Sequence, residues 1–412
     1  MMITILKRPK TKRTKKHKNR MKSARMNRLV VLCCVGLLLT KNVLAENIHV
    51  GMSSALSGPL AEMGLSMQAG INTFFSKINY QGGIQGNIIE LLALDDSYEP
   101  LLAATNMRQL ITEHDVVAVL GNVGTPTAVV TVPIAEQSQV ALVGAFSGGE
   151  VLRRDPPSRY IINFRPGYRQ EVTTLINGLL NAGIQADEIA FFTQQDSYGN
   201  AVFQAASLAL QDRGFYQADF LTHAYYSRNT LNVESAVATI LKAKKTPKVI
   251  LMAGSYAPSA KFIKLLHADK PDMWFVNVSF VGSHVLEQSL KGIDANVLVS
   301  QVVPEIDADL PIVNEYRQAL EQYDKKLQPN TVSLEGYIVA KVFCQALKRI
   351  DGPVTRQSVV DALYNLEDWD IGLETQRSFA SNASPAGSKV WLSKLENGSF
   401  RSFEWRDFEL PQ

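Results

Sequence analysis

Short apolar runs rich in β-branched residues alternate along the chain with longer stretches in which apolar residues recur every three or four positions. The runs are Ile48 to Met52, Ile88 to Leu94, Val116 to Leu120, Val140 to Gly144, Glu188 to Phe192, Lys248 to Ala253, Trp274 to Ser279 and Asn296 to Val303. Their length and composition predict buried strands. After Pro59, the residues Leu60, Met63, Met67, Ile71, Phe74 or Phe75, and Ile78 mark one face of a helix. Pro59 suits its first turn, and Gly82-Gly83 tolerate the left-handed backbone near its end. Similar units are expected from Pro100, Thr125, Gly167, Gly199, Tyr256 and Asp307. Strands alternating with helices predict parallel sheets. Four strands precede residue 150 and four follow 188, which predicts two α/β lobes with Pro156 to Gly167 as the first crossing between them. In such sheets ligands gather at the carboxyl ends of the strands, so a cleft between facing lobes is the expected site.

The first 45 residues stand apart from this pattern. They hold 13 Lys or Arg and no acid, and an apolar stretch from Leu29 to Leu39 is followed by Val43-Leu44-Ala45. A basic start, a short apolar centre and a small residue at the cut are the parts of an export signal, and eleven apolar residues fall short of a membrane span. Cleavage after Ala45 and a periplasmic location are expected. The formal net charge of +3 then conceals an acidic body, since the remainder carries 29 bases against 39 acids. That balance argues against wrapping nucleic acid. Cys344 alone remains beyond the leader, which leaves no internal disulfide, and it lies in a helical run as a small buried hydrophobe.

Several chemistries have no signature here. The sequence has no phosphate-binding Gly-x-x-x-x-Gly-Lys loop, zinc-binding His-Glu-x-x-His, paired Cys-x-x-Cys or Gly-x-Ser-x-Gly elbow. His49, His114, His223, His267 and His284 are too scattered for metal-ligand spacing. No metal and no cofactor is expected. Asp95-Asp96 follow a strand end, where acids usually satisfy backbone donors of a turn.

An ordered series of short motifs carries a family resemblance: Ser57-Gly58-Pro59-Leu60, Gly82-Gly83-Ile84-Gln85-Gly86, Asp95-Asp96-Ser97-Tyr98-Glu99-Pro100 and Gly121-Asn122-Val123. Together they resemble the leucine/isoleucine/valine-binding group of periplasmic solute-binding proteins, the receptors that feed ABC transporters. The resemblance implies a type I periplasmic binding fold, two doubly wound parallel-sheet lobes joined by three crossovers near 163 to 167, 301 to 304 and 366 to 372. Residues 46–164 plus 304–366 would form lobe 1, and 165–303 plus 367–412 lobe 2. The implied function is capture of an amino acid or related small organic carboxylate, as a monomer that delivers it to an ABC permease of the inner membrane. A sensor that presents its closed form to a membrane signalling protein is the first alternative. A periplasmic enzyme using Asp95, Asp96 or Asp196 is the second.

The resemblance also implies site residues. The loop Gly121 to Thr125 would aim backbone N–H groups and the Thr125 hydroxyl at a ligand carboxylate, aided by the helix beginning near Pro126. A plain helix cap is the alternative role for Thr125. Phe146, Ser147 and Gly148 follow the fourth strand as the next contacts. Tyr198, within Asp196-Ser197-Tyr198-Gly199, and Tyr256, within Gly254-Ser255-Tyr256, would cover the ligand with rings that are apolar in body and polar at the tip. Two departures bear on the ligand. Where amino-acid-binding members carry an acid for the ammonium, this chain has Ser279 within Asn277-Val278-Ser279-Phe280-Val281-Gly282, and Gly148 replaces a hydroxyl. A buried ammonium without a carboxylate partner is unfavourable, so a carboxylate lacking the amine competes with an amino acid unless Asp196 supplies the charge. Tyr98 and Gly124 stand where branched-chain relatives carry a disulfide.

Overall fold

The computed structural model describes residues 47–366, 372 and 389–410. The leader lies outside the described residues, as does the third crossing apart from its two end positions. In the first lobe, strands β1 (Ile48–Ser54), β2 (Ile89–Asp95), β3 (Ala118–Leu120), β4 (Ala141–Val143) and β5 (Ile161–Ile162) form one sheet in the order β2-β1-β3-β4-β5. Every pairing is parallel, with Ile48 opposite Ile89 at one end of the β1–β2 ladder and Ser54 opposite Asp95 at the other. Helices α1 (Ala61–Tyr80), α2 (Pro100–Thr112) and α3 (Thr125–Gln137) make the crossovers. Strand order reverses between β1 and β3, and the loops that carry Thr125 and Ser147 leave the sheet at its carboxyl edge, as expected for a ligand site.

The second lobe repeats the plan. Helices α4 (Tyr168–Asn181), α5 (Ser197–Asp212), α6 (Glu234–Leu241), α7 (Tyr256–Asp269) and α8 (Ser283–Ser289) accompany β6 (Ile189–Gln194), β7 (His223–Tyr226), β8 (Val249–Ala253), β9 (Trp274–Asn277) and β10 (Asn296–Gln301). These strands run parallel in the order β7-β6-β8-β9-β10, matching the first lobe. An antiparallel hairpin, β11 (Trp391–Glu396) and β12 (Ser399–Ser402), extends the sheet beyond β10. Helices α9 (Pro311–Tyr323), α10 (Thr331–Leu347) and α11 (Arg356–Tyr364) return to the first lobe, where α10 lies along α1 and α11 meets β4.

All eight sequence-predicted strands are present. The two short additions, β5 and β7, and the hairpin were not predicted; β5 falls inside the segment read only as a crossing. Val50, Met52, Val119, Leu142, Phe191, Leu251 and Val276 lose all or nearly all contact with water inside the sheets, and burial of such side chains is the main driving force of the fold. Cys344 is buried in α10, as its apolar neighbours predict. Among the described residues, no helix is long and apolar enough to cross a membrane, and no group of three or more His, Cys, Asp or Glu is placed to hold a metal ion.

Candidate functional site

The first-lobe side of the cleft is built by two adjacent loops that continue the strand pairing past the sheet edge. Val123 bridges Phe146, Phe146 N–H donates to Asn122 O at 2.8 Å, and Gly124 N–H donates to Phe146 O at 3.1 Å. Gly124 has φ +107°, and a Cβ there would stand 2.3 Å from the Tyr98 ring. Only glycine meets both demands, so Tyr98 and Gly124 are held together by ring-on-backbone packing. Thr125 is the first residue of α3, after a Gly124 cap. Its side chain does not cap the helix. Instead its hydroxyl shares a hydrogen bond of 2.8 Å with Ser147 Oγ and lies 3.5 Å from Tyr168 Oη, while Ser147 Oγ also accepts from Gly149 N–H at 3.1 Å. Three hydroxyls thus converge at the positive end of α3. Gly148 accepts the Tyr168 N–H at 2.8 Å, and a Cβ on it would meet the Tyr168 ring at 2.5 Å.

Across the cleft, Asp196 caps α5, its Oδ1 accepting Tyr198 N–H at 3.0 Å. That cap turns Tyr198 inward, where its ring centroid lies 5.5 Å from Tyr168 and 4.6 Å from Phe280. Phe280, in the turn after β9, also packs against Phe146 at 5.6 Å and Tyr98 at 6.2 Å. Aromatic rings of both lobes therefore share one cluster in offset geometries that suit their quadrupoles. Burial, together with the neighbouring tyrosines, raises the Tyr198 hydroxyl well above its ordinary pKa, and burial pushes Tyr168 to about 12. Both are neutral hydrogen-bonding groups. Tyr198 Oη is buried without a partner.

Charged groups complete the cluster. Arg165, at the first crossing, lies 4.2 Å over the Phe146 ring and donates to Glu335 of α10 and to Ser279 Oγ. Burial works against its charge, but Glu335 and Glu171 beside it raise its pKa. Glu171, in the first turn of α4, accepts the Ser279 N–H at 2.9 Å and the Ser300 hydroxyl at 2.7 Å through Oε2. Nearer the rim, Arg228 pairs with Glu99 at 2.8 Å and with Asp196 at 3.3 Å, and Asn229 donates to Glu99 at 2.7 Å and to Ser97 O at 3.1 Å.

Of the sequence-predicted residues, Thr125, Phe146, Ser147, Gly148, Tyr198 and Ser279 come together in this cluster. Asp196 accepts from Tyr198 N–H, Gln194 and Arg228, so the charge expected of it is already shared with Arg228. Tyr256 is the first residue of α7 and is 9% exposed, and among the described residues its ring makes no contact with the aromatic cluster. Asp95 and Asp96 act as turn anchors: Asp95 Oδ1 accepts from Leu56, Ser57 and Ser97 N–H, and Asp96 Oδ1 from Tyr98 N–H. Sequence reasoning missed Arg165, Tyr168, Glu171, Phe280 as a hub, and Glu335. A signal existed for Glu335, a single acid inside the apolar run Leu334 to Ala340. An open groove of about 480 Å³, built from α9 and the following loop, shares no residue with the cluster.

Comparison with known proteins agrees with this geometry. Residues 47–399 match the model of the periplasmic binding protein family. A Leu/Ile/Val-binding protein homolog 7 of Brucella melitensis is 23% identical over 400 residues, which cover 93% of this chain and 95% of the relative. The crystal structure described as a possible leucine/isoleucine/valine-binding protein from Rhodopirellula baltica is 39% identical with a TM-score of 0.85, covering 89% of this chain and 99% of that one. A substrate-binding periplasmic protein from Ralstonia solanacearum superposes with a TM-score of 0.79 at 25% identity, over 86% of this chain and 100% of that one. Two doubly wound lobes around a shared polar and aromatic cluster, and a family match spanning nearly all of the described chain, make this protein a member of the type I periplasmic binding proteins of the Leu/Ile/Val-binding group.

Proposed function

We propose that the protein captures an amino acid or related small organic carboxylate between its lobes and presents it to an ABC-type permease. The observation that carries this reading is the convergence of the Thr125, Ser147 and Tyr168 hydroxyls at the N-terminus of α3, opposite the rings of Tyr198 and Phe280. A carboxylate there would receive hydroxyl and backbone N–H donors together with the favourable end of the helix dipole. Its carbon chain would lie against aromatic carbon. Contacts drawn from both lobes would favour the closed arrangement, and a membrane partner reads that closure. In this reading lobe 1 comprises 46–164 plus 304–366 and lobe 2 comprises 165–303 plus 367–412. The chain is exported with a cut after Ala45, acts as a monomer in the periplasm, and carries out no reaction on its ligand.

The test is a thermal-shift screen of residues 46–412 against amino acids, their deaminated analogues and aromatic carboxylates. A ligand that binds only the folded state raises the melting temperature by mass action. Thr125→Val should then weaken a carboxylate hit about tenfold or more, since a hydrogen bond to a charged group is lost, while leaving uncharged ligands unaffected. No shift with any carboxylate would refute the proposal.

A further inference from the structure

Behind the three converging hydroxyls stands a cation that no acid takes up. Arg153 follows the short turn Glu150–Leu152 and is partly buried. Its Nη1 donates to Gly149 O at 2.9 Å, and its Nη2 to Arg165 O at 2.6 Å and to Ser147 O and Pro166 O at 3.3 Å each. Among the described residues it bonds to backbone carbonyls alone and joins no ion pair. Burial pulls the guanidinium down to about 10, although Glu150 favours its charge, so it stays cationic at neutral pH. Glu150 itself is exposed, where solvent and salt screen a charge. Arg165 differs, since Glu335 pairs with it and Glu171 stands beside it.

The surroundings of Arg153 add to its charge. Its stem lies against Gly167, where a Cβ would stand 3.2 Å from Cδ and Nε, and Gly167 immediately precedes α4. A cation is unfavourable at the positive end of a helix unless an anion is also present. Ser147 carries both the carbonyl that meets Arg153 and the hydroxyl that meets Thr125 at the start of α3, so the guanidinium stands about 6–8 Å from that hydroxyl. The peptide joining Ser147 to Gly148 is planar and trans. With its carbonyl turned to Arg153, its Gly148 N–H points the opposite way. Gly148 is buried, and among the described residues its N–H donates to no group, whereas buried backbone donors are nearly always paired. A cation on the carbonyl also polarises the peptide and strengthens that N–H as a donor. An anion is what this arrangement lacks.

We infer that Arg153 is a specificity-determining residue of this site: its charge, acting from behind the Ser147–Gly148 peptide, favours a carboxylate over the same molecule with that group neutral. This rests on the carboxylate-binding reading above and deepens it, and Arg153 acts without touching the ligand. Binding is measured by calorimetry on residues 46–412 with acid and amide pairs: leucine against leucinamide, and 3-phenylpropanoate against 3-phenylpropanamide. In the unaltered protein the acid of a binding pair should be favoured about tenfold or more, the size expected of a unit charge at this distance in a partly screened site. Arg153→Met keeps much of the stem and removes the charge, and it should lower the ratio of acid to amide affinity about tenfold. Arg153→Lys keeps the charge but not the fork, and it should hold the ratio within about threefold even where stability falls. Equal weakening of acid and amide in Arg153→Met, with the ratio kept, would mean that Arg153 only shapes the loop and would overturn the inference. A ratio lost to the same extent in Arg153→Lys would assign the effect to the fork and overturn it too. Should Arg153→Met not fold, Arg153→Gln takes its place, and an amide bound by the unaltered protein as tightly as its acid overturns the inference with no variant at all. In each of these cases carboxylates still bind and the reading of the site stands, whereas silence from both members of every pair sinks both.

Discussion

Two sets of charged side chains tie the lobes together, and they stand differently toward water. In the inner set, the Arg165 and Glu335 side chains are 1% and 4% exposed. In the outer set, Arg228 and Glu99 are 23% and 43% exposed. A pair removed from water gains little net stability from being charged, but losing one partner strands the other in a poorly solvating interior. A half-exposed pair is worth about 1 kcal/mol at most and is screened by salt. The inner set thus behaves as a fixed joint that positions Ser279 and Phe146, while the outer set behaves as a clasp that can open at little expense. A protein that must admit and release a small molecule needs both, a site whose polar groups stay in register and a rim that parts.

The largest expected effect tests the joint. Glu335→Ala leaves the Arg165 charge buried and unpaired and should lower stability by about 3–5 kcal/mol, read as a shift in the midpoint of urea unfolding. Replacing both members together, Arg165→Met with Glu335→Leu, should recover part of that loss, because neither member is then stranded while Glu171 loses the Arg165 charge beside it. A double variant as unstable as the single one would show that the pair does more than balance charge, and the distinction drawn between joint and clasp would fail.

How far the sequence foretold this arrangement depends on the range of the interaction. The eight main strands were legible because a run such as Val249–Ala253 is apolar throughout and lies between turn residues. By contrast, Ile161–Ile162 and His223–Tyr226 are too short and too mixed to stand out. Thr125 and Ser147 were named because the family resemblance implied them, and the parallel sheet delivers the loops that carry them to one edge. The refined role of Thr125, a partner of Ser147 and not a helix cap, depends on side-chain direction that spacing does not encode. The pairings of Arg165, Glu171 and Glu335 were not legible, although Glu335 stood out as an acid within an apolar run. They join residues 108 to 170 positions apart, and within their own segments Arg165 and Glu171 resemble ordinary surface charges on a loop or helix.

The second prediction concerns the ground beneath the clasp. Ser97 and Tyr98 have positive φ, a strained backbone for such residues, and Asp96 holds it by accepting from Tyr98 N–H and from Ser53 Oγ at 2.8 Å. Burial pushes the Asp96 carboxyl from an ordinary 3.8 up to about 6. Between those values the folded state binds more protons than the unfolded one, so this group's contribution to stability falls as pH rises through that window, by up to about 3 kcal/mol. His223 opposes it. Burial lowers its imidazole from 6.5 to about 4, so the unfolded state takes the proton first as pH falls, and its contribution rises with pH over the same range. Unfolding measured from pH 4 to 6.5 should therefore show partial cancellation. Asp96→Asn should leave stability rising with pH, and His223→Gln should leave it falling. Slopes of the same sign in both variants would rule out this assignment.

The smallest effect tests the clasp itself. Arg228 meets Glu99 and Asp196 and lies 5.9 Å from the Tyr98 ring centroid, so it joins the loop after β7 to the loop after β2 at a surface open to water. Arg228→Gln should lower stability by less than about 1 kcal/mol and weaken ligand binding by no more than about fivefold, the same energy expressed as an affinity ratio. Its signature is salt dependence, not size. Between about 0.1 and 1 M NaCl the Debye length shrinks from about 10 to 3 Å, so affinity for an uncharged or zwitterionic ligand should decline in the unaltered protein and hardly change in Arg228→Gln. The buried Arg165–Glu335 pair is withdrawn from the ions and contributes little to that decline. If Arg228→Gln kept the full salt dependence, the screening would have to act elsewhere in the cleft, and the outer contacts would be bystanders to closure instead of its adjustable part.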